Sequence, residues 1–137
     1  MEVDPSLSAW VNAPLLEQAL GNLLDNAIKY SPSGVEVDIF TERADDMVRI
    51  HVRDRGCGIA PEHQKRLFQR FYRVDRARSR ALGGTGLGLA IVKHIVLAHR
   101  GSVEIASDPG VGSTFTLCLP TTPPTGVHTD FTNTVRD

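Results

Sequence analysis

The fold of this chain follows from NLLDNAIKYS, residues 22–31, and from the sequence on either side of it. When successive residues are placed about 100° apart, this segment continues an apolar arc that begins upstream. Asn12 and Pro14 supply a capping side chain and a first-turn proline, so we predict a helix from there to about Tyr30. The predicted buried arc consists of Leu16, Ala19, Leu20, Leu23, Leu24, Ala27 and Ile28.

A polar strip lies beside this arc. Asn22, Asn26 and Lys29 are three or four positions apart and therefore share one face of the predicted helix. Amide oxygens are hard ligands that suit Mg²⁺, and a nearby ammonium group can contact phosphate. The strip is a candidate metal–phosphate site, with an ordinary solvated helix face as the alternative.

The composition describes one globular unit. The chain has 137 residues, of which 41% are hydrophobic and 23% charged, with a formal net charge of -1. This length supports one core, and the charge balance predicts no nucleic-acid partner. Two cysteines without paired spacing indicate neither a disulfide scaffold nor a zinc site. Since no segment approaches the length of a membrane span, we expect a soluble cytoplasmic domain.

The remaining pattern predicts an α/β fold. Alternating apolar residues predict four strands, at 35–41, 47–54, 102–107 and 114–119. Helical periodicity predicts two more helices, at 61–71 and 86–99, joined by a long arginine-rich loop. This order indicates a two-layer sandwich with one mixed sheet and helices on one face. The domain is expected to occupy residues 1–120, and the Thr- and Pro-rich residues 121–137 are expected to be disordered.

A carboxylate and two glycines follow the second predicted strand. They are Asp54, Gly56 and Gly58. An ionised carboxylate accepts hydrogen bonds and donates none, which suits an exocyclic amine such as that of adenine. Glycines let the backbone approach a flat ligand closely. For this motif taken alone, an acidic turn between a strand and a helix is the favoured alternative.

The run GGTGLGL, residues 83–89, opens the last predicted helix. Its unobstructed backbone and the amides at the helix start predict a phosphate site. A flexible linker is the alternative, but the apolar pattern continues directly into the helix and argues against it. Several arginines precede this run and could neutralise phosphate, namely Arg66, Arg70, Arg73, Arg76, Arg78 and Arg80.

Together the motifs resemble the catalytic ATP-binding domain of two-component sensor histidine kinases, which has the Bergerat-type fold of the superfamily that includes DNA gyrase and the heat-shock chaperones. The resemblance covers about residues 15–120. It rests on five elements in family order. They are an asparagine box (22–31), a first glycine box (54–58), a phenylalanine box (68–71), a second glycine box (84–89) and a glycine–threonine element (110–114).

The resemblance implies ATP and Mg²⁺ as ligands and suggests which residues hold them. Asn26, together with Asn22, would coordinate the metal, and Lys29 would contact phosphate. Asp54 would bind the adenine amine. The adenine site would be completed by Tyr30, Gly56, Gly58 and Thr114. Ile59 and Phe71 would be further nucleotide-binding residues, with a core or lid-anchoring role as the alternative for Phe71.

The phosphates are assigned in the same way. Arg73 would contact the terminal phosphate, with Arg70 as the next candidate, and residues 72–84 would form a mobile lid. Asn22, Asn26 and Arg73 would be the catalytic residues. Further contacts to the nucleotide would come from Gly84, Thr85, Gly86, Leu87, Gly88 and Leu89.

The implied activity is that of a protein-histidine kinase, which donates the γ-phosphoryl group to a histidine on a separate dimerisation domain for relay to a response regulator. None of the five histidines lies in an acceptor-like segment, and we expect all five at surface or strand positions. The chain would be a monomeric fragment of a membrane-anchored homodimer, on the cytoplasmic side. Hydrolysing relatives place Glu where this chain has Asn22, which favours transfer over hydrolysis. A serine kinase of the anti-sigma-factor type and a non-catalytic nucleotide sensor are the alternatives.

Overall fold

The structure, a computed structural model, describes residues 8–9, 11–31, 34, 36–70, 88–121 and 135–136. Its elements in chain order are β1 (Ser8–Ala9), α1 (Ala13–Tyr30), β2 (Asp38–Ala44), β3 (Met47–Asp54), α2 (Pro61–Gln64), α3 (Gly88–Ala98), β4 (Ser102–Asp108), β5 (Gly112–Pro120) and β6 (Val135–Arg136). None of the helices in these ranges is long and apolar enough to cross a membrane.

Four strands form the main sheet, in the order β2-β3-β5-β4. Ile39 pairs with Val52, Val52 with Phe115, and Phe115 with Ile105, so one apolar row crosses all four strands. Every pairing in this sheet is antiparallel, whereas the sequence predicts a mixed sheet. The strands within each hairpin, β2–β3 and β4–β5, are antiparallel. The two hairpins join through β3 and β5, which also run in opposite directions, so no parallel pairing arises.

The core lies between one face of this sheet and the two long helices. The sheet contributes Ile50, Val52, Phe115 and Leu117, all buried. Helices α1 and α3 cover them with buried residues that include Ala19, Leu23, Val92 and Val96. The predicted layer order, helices on one face of a sheet, is therefore confirmed.

The ends of β2 and α2 differ from the prediction. Strand β2 continues through Ala44 because the β2–β3 turn needs only Asp45 and Asp46, with Asp45 at a φ of 56°. Helix α2 ends at Gln64, and the following residues make tight turns, such as the Gln69 N–H donating to the Arg66 carbonyl. These turns let the adjacent residues Leu67 and Phe68 both contact the core.

One residue of the predicted buried arc is exposed. Ile28 is 66% exposed, although its spacing places it with the apolar residues of α1. Helix α3 begins opposite Asn22, whose side chain contacts Gly88. Ile28 lies almost two turns further along α1, beyond the part of that helix that α3 covers.

A short second sheet joins the two ends of the described chain. Ser8 pairs with Arg136 and Ala9 with Val135, antiparallel. Residues 122–134 and 137 of the predicted disordered tail lie outside the described residues. The division of the chain at residue 120 therefore stays a prediction.

His99 connects the end of α3 to the start of α1. The Asn12 N–H donates to Nε2 of His99 at 3.0 Å, and the carbonyl of Ile95 lies 2.7 Å from Nδ1. Because a backbone N–H can only donate and a carbonyl can only accept, Nδ1 carries the proton and Nε2 accepts. His99 is buried. The expectation that every histidine lies on the surface or in a strand is therefore wrong at His99. Its ring is buried because its two nitrogens bond the Asn12 amide at the start of α1 and the Ile95 carbonyl of α3.

Replacing His99 should destabilise the fold more than replacing an exposed histidine of the preceding helix, α3. His99→Ala leaves the Asn12 N–H without its ring acceptor, so we expect the free energy of unfolding to fall by about 1–3 kcal/mol. His94→Ala, at an exposed position of α3, should change it by no more than about 0.5 kcal/mol. Urea unfolding of both variants measures the difference, and equal losses would contradict this role for His99.

Candidate functional site

Asp54 lies at the last position of β3, at the end of the row that faces the helices. Residues alternate along a strand, so Asp54 shares its face with the buried residues Val48, Ile50 and Val52. Only 7% of Asp54 is exposed. The sequence thus places a carboxylate at the rim of the core, where an apolar residue would be ordinary.

Two backbone amides compensate for part of this burial. The Gly56 N–H donates to Oδ1 of Asp54 at 2.9 Å, and the Ser113 N–H also donates to the carboxylate. Burial raises the pKa of Asp54, and the two amides lower it by less, so the pKa lies above its ordinary value. A carboxylate offers about four lone-pair sites. Two amides leave others free to accept hydrogen bonds from a ligand.

The loop after Asp54 packs directly against the turn between β4 and β5. Gly58 has a φ of +72°, and a Cβ there would lie 2.2 Å from the carbonyl oxygen of Asp108. A Cβ at Gly112 would lie 2.2 Å from the Asp54 carbonyl oxygen. The Gly110 N–H donates to the Cys57 carbonyl at 2.7 Å. These glycines therefore permit contact between two backbone segments, a role that the sequence alone does not reveal.

A hydroxyl network holds the same two segments together. The Ile59 N–H donates to Oγ of Ser107 at 2.7 Å, and the Ser107 hydroxyl donates to the Gly112 carbonyl at 3.1 Å. Oγ of Ser113 lies 2.7 Å from Oγ of Ser107. Nε2 of Gln64 donates to the Ile59 carbonyl at 2.8 Å. Ser107, Ser113 and Gln64 were not predicted as site residues. Strand alternation, which places Ser107 on the same face as Ile105, is the sequence signal that could have identified Ser107.

The predicted threonine of the site lies elsewhere. Thr114 pairs with Arg53, on the face of the sheet opposite to Asp54. The residue that pairs with Asp54 is Ser113, which is buried. The hydroxyl side chain opposite Asp54 is therefore that of Ser113, one position before the predicted Thr114.

The polar strip of α1 meets the start of α3. Nδ2 of Asn22 donates to the Gly88 carbonyl in a long hydrogen bond of 3.4 Å. Nζ of Lys29 lies 2.9 Å from Oδ2 of Asp25, an exposed side chain, one turn earlier. Asn22, Asn26 and Lys29 are all half-buried, so the strip is more enclosed than a fully solvated helix face. It lies beside Gly88 and Leu89, the described end of the glycine-rich run.

Several predicted site residues cannot be placed. Phe71, Arg73 and the run Gly84, Thr85, Gly86 and Leu87 lie outside the described residues, as does the side chain of Tyr30. Arg70 is exposed at the end of the preceding described range. Within the described ranges, no group of three or more His, Cys, Asp or Glu residues could hold a metal ion. Any metal at this site would need amide or ligand oxygens.

Comparison with known proteins identifies close relatives. The family model for "Histidine kinase-, DNA gyrase B-, and HSP90-like ATPase" matches residues 11–123. The chain is 54% identical over 116 residues to the sensor-like histidine kinase SenX3 of Mycolicibacterium smegmatis, and 50% identical over 112 residues to the sensor histidine kinase RppB of Synechocystis. These alignments cover 85% and 82% of this chain but only 30% and 25% of the relatives. The chain thus spans less than a third of their length.

Solved structures share the architecture. The mycobacterial sensor histidine kinase MprB aligns with a TM-score of 0.74 and 34% identity, covering 90% of this chain and 82% of that one. Full-length ShkA in complex with AMPPNP aligns with a TM-score of 0.75 and 30% identity, covering 90% of this chain and 26% of that one. The predicted two-layer α/β sandwich is therefore confirmed.

Neutralising Asp54 should stabilise the fold. A folded pKa above the unfolded value means that the folded state binds the proton more tightly, so wild-type stability falls as pH rises through the folded pKa. Asp54→Asn keeps an oxygen acceptor and removes the buried charge. We expect the variant to unfold at a higher urea concentration than the wild type at neutral pH, with the gain shrinking toward acidic pH. A variant that is less stable at neutral pH, or a gain independent of pH, would contradict the burial cost.

Proposed function

Since the chain belongs to the family of histidine kinase-, DNA gyrase B- and HSP90-like ATPases, we propose that it binds Mg-ATP and donates the γ-phosphoryl group to a histidine on a separate dimerisation domain. The observation that carries the proposal is the buried Asp54 carboxylate, which retains free lone pairs beside a close-packed glycine loop. Its relatives SenX3 and RppB are named as sensor histidine kinases, and one structural neighbour holds AMPPNP.

Adenine recognition would depend on Asp54. Its carboxylate can accept an N–H from the 6-amino group, whereas a purine with a carbonyl at that position would face it with a second acceptor. Ser113 lies beside the carboxylate, and half-buried Ile59 offers an apolar surface for the ring. Tyr30 and Thr114 remain predicted contacts of the adenine site, and Phe71 remains a predicted contact of the nucleotide.

Mg²⁺ would be held by amide oxygens of α1. The Gly88 carbonyl can only accept, so the nitrogen of the Asn22 amide must face it, which leaves Oδ1 available as a ligand. Asn26 lies one turn further on the same face. Magnesium prefers six oxygen ligands and commonly takes several from phosphate and water, which fits a site with two protein amides. The bound ion would neutralise phosphate charge.

The phosphoryl group would be positioned by cations near the same helix end. Lys29 is paired with an exposed aspartate, a contact that contributes little energy, so the ammonium can exchange to phosphate. Arg73 and Arg70 are the proposed arginine contacts, on and beside a lid at 72–84. Phosphoryl transfer depends mainly on such placement and charge neutralisation. An amide at Asn22 is a poor general base, so transfer to histidine should outrun hydrolysis.

The whole protein would be a membrane-anchored homodimer, with this domain on the cytoplasmic side and a response regulator as the receiver of the phosphoryl group. The resemblance to sensor histidine kinases implies these partners, and the chain spans less than a third of the length of SenX3 and RppB.

ATP titrations of single variants test the site. Asp54→Asn should weaken ATP binding about tenfold or more, because hydrogen bonds to charged groups contribute about 1.5–3 kcal/mol. Asn26→Ala should leave the affinity without Mg²⁺ unchanged and remove the gain that Mg²⁺ brings. Asp46→Asn, at an exposed turn position, is the matched control and should bind as the wild type does. Wild-type affinity and Mg²⁺ dependence in both site variants would rule out the assignment.

A transfer assay on the same proteins tests the activity. The domain is mixed with labelled ATP and the helical acceptor domain of its own full-length protein, and we expect acid-labile label on histidine. Acid-stable label on serine would instead indicate a serine kinase, and normal ATP binding without transfer would indicate a nucleotide sensor.

A further inference from the structure

One peptide unit links the β4–β5 hairpin to the Asp54 carboxylate. This unit joins Gly112 to Ser113. Ser113 is the residue that pairs with Asp54 across the two strands, and its N–H is one of the two amides that lower the pKa of the carboxylate. The carbonyl of the same unit, from Gly112, accepts from the Ser107 hydroxyl at 3.1 Å. Because the peptide group is planar, a bond that fixes the carbonyl also fixes the direction of the N–H. The Ser107 hydroxyl and Asp54 therefore lie at opposite ends of one rigid peptide plane.

The hydrogen-bonding capacity of Ser107 matches its surroundings. A serine hydroxyl has one proton and two acceptor lone pairs. If the proton goes to the Gly112 carbonyl, the lone pairs accept from the Ile59 N–H at 2.7 Å and from the Ser113 hydroxyl at 2.7 Å. This arrangement satisfies every contact of the side chain. It also ties the loop after Asp54 to the hairpin, and no apolar replacement can reproduce it.

Gln64 extends the connection to α2. Its Nε2 lies 2.8 Å from the Ile59 carbonyl and 3.4 Å from the Ser107 carbonyl. Both polar groups of the Ile59 backbone are thereby engaged, one by Ser107 and one by Gln64. The loop between Asp54 and α2 is thus fixed at its end by side chains that do not themselves contact the carboxylate.

We propose that Ser107 is a positioning residue that aims the Ser113 amide at Asp54 and holds the loop at Ile59, and that it thereby sets the preference of this site for adenine. The inference rests on the proposed function, because adenine is the ligand that Asp54 is proposed to bind. In this role Ser107 contacts neither the nucleotide nor the reacting atoms. It acts through the orientation of Asp54.

The surroundings of Asp54 make the amides the main compensating groups. Two neighbours in the chain, Arg53 and Arg55, point to Asp38, with Nη2 to Oδ2 distances of 3.0 and 3.5 Å. Asp108, in the adjoining turn, is exposed. In the described part of the chain, burial and the amides of Gly56 and Ser113 are what move the pKa of Asp54. Loss of one aligned amide should therefore be measurable.

The test compares ATP with ITP, whose base carries a carbonyl in place of the 6-amino group. Ser107→Ala should weaken ATP binding about threefold, less than Asp54→Asn does, because it weakens the hydrogen bond to the 6-amino group without removing the acceptor. It should leave ITP binding unchanged. It should also move the loss of ATP binding on acidification to higher pH, because the Ser113 amide no longer lowers the pKa of Asp54 as strongly. Ser102→Ala, an exposed serine at the start of β4, is the matched control.

The outcomes separate positioning from a merely structural role. Unchanged ITP affinity shows that Ser107→Ala is folded, and Ser107→Thr, which keeps the hydroxyl, should retain the wild-type preference for ATP. Equal losses for ATP and ITP, or a lower melting temperature with an unchanged ATP-to-ITP ratio and pH profile, would overturn the role of Ser107 alone. Equal binding of ATP and ITP by the wild type would overturn the adenine site itself, and the role of Ser107 with it.

Discussion

The burial of one carboxylate at the end of β3 determines how this region is built. Asp54 needs hydrogen-bond donors because it lies on the core face, and it receives them from Gly56 and Ser113. The Gly56 amide lies two residues further along the chain, whereas the Ser113 amide reaches Asp54 because β5 pairs with the end of β3. The backbone around this carboxylate is packed so closely that Gly58 and Gly112 have no room for a Cβ atom.

The two long helices hold the other group of proposed site residues, the polar strip of α1. They run antiparallel, with His99, just after α3, bound to the start of α1 and Asn22 of α1 bound to the start of α3. The buried contact at one end and the amide contact at the other fix the register between the helices. The polar strip is consequently held beside Gly88, whereas the carboxylate is held by the sheet.

Local signals were enough to predict several of these features. Asn12 caps α1 by accepting from the Leu15 N–H, so the start of that helix is encoded within four residues. Strand β3 ends at Asp54 as the alternation predicts. Register between distant strands is not encoded locally, so the pairing of Ser113 with Asp54 becomes visible only in the sheet. The buried ring of His99 and the exposure of Ile28 likewise depend on where α3 lies, a property of packing that helical periodicity does not contain.

Asp54 and the amides of α1 are proposed to bind a single nucleotide. An NMR titration of isotope-labelled protein with ATP, with Mn²⁺ in place of Mg²⁺, tests this directly. We expect paramagnetic broadening of the Asn22 and Asn26 side-chain amides and a shift of the Gly56 amide at the same nucleotide concentration. Broadening away from α1, or a Gly56 response that saturates at a different concentration, would contradict it.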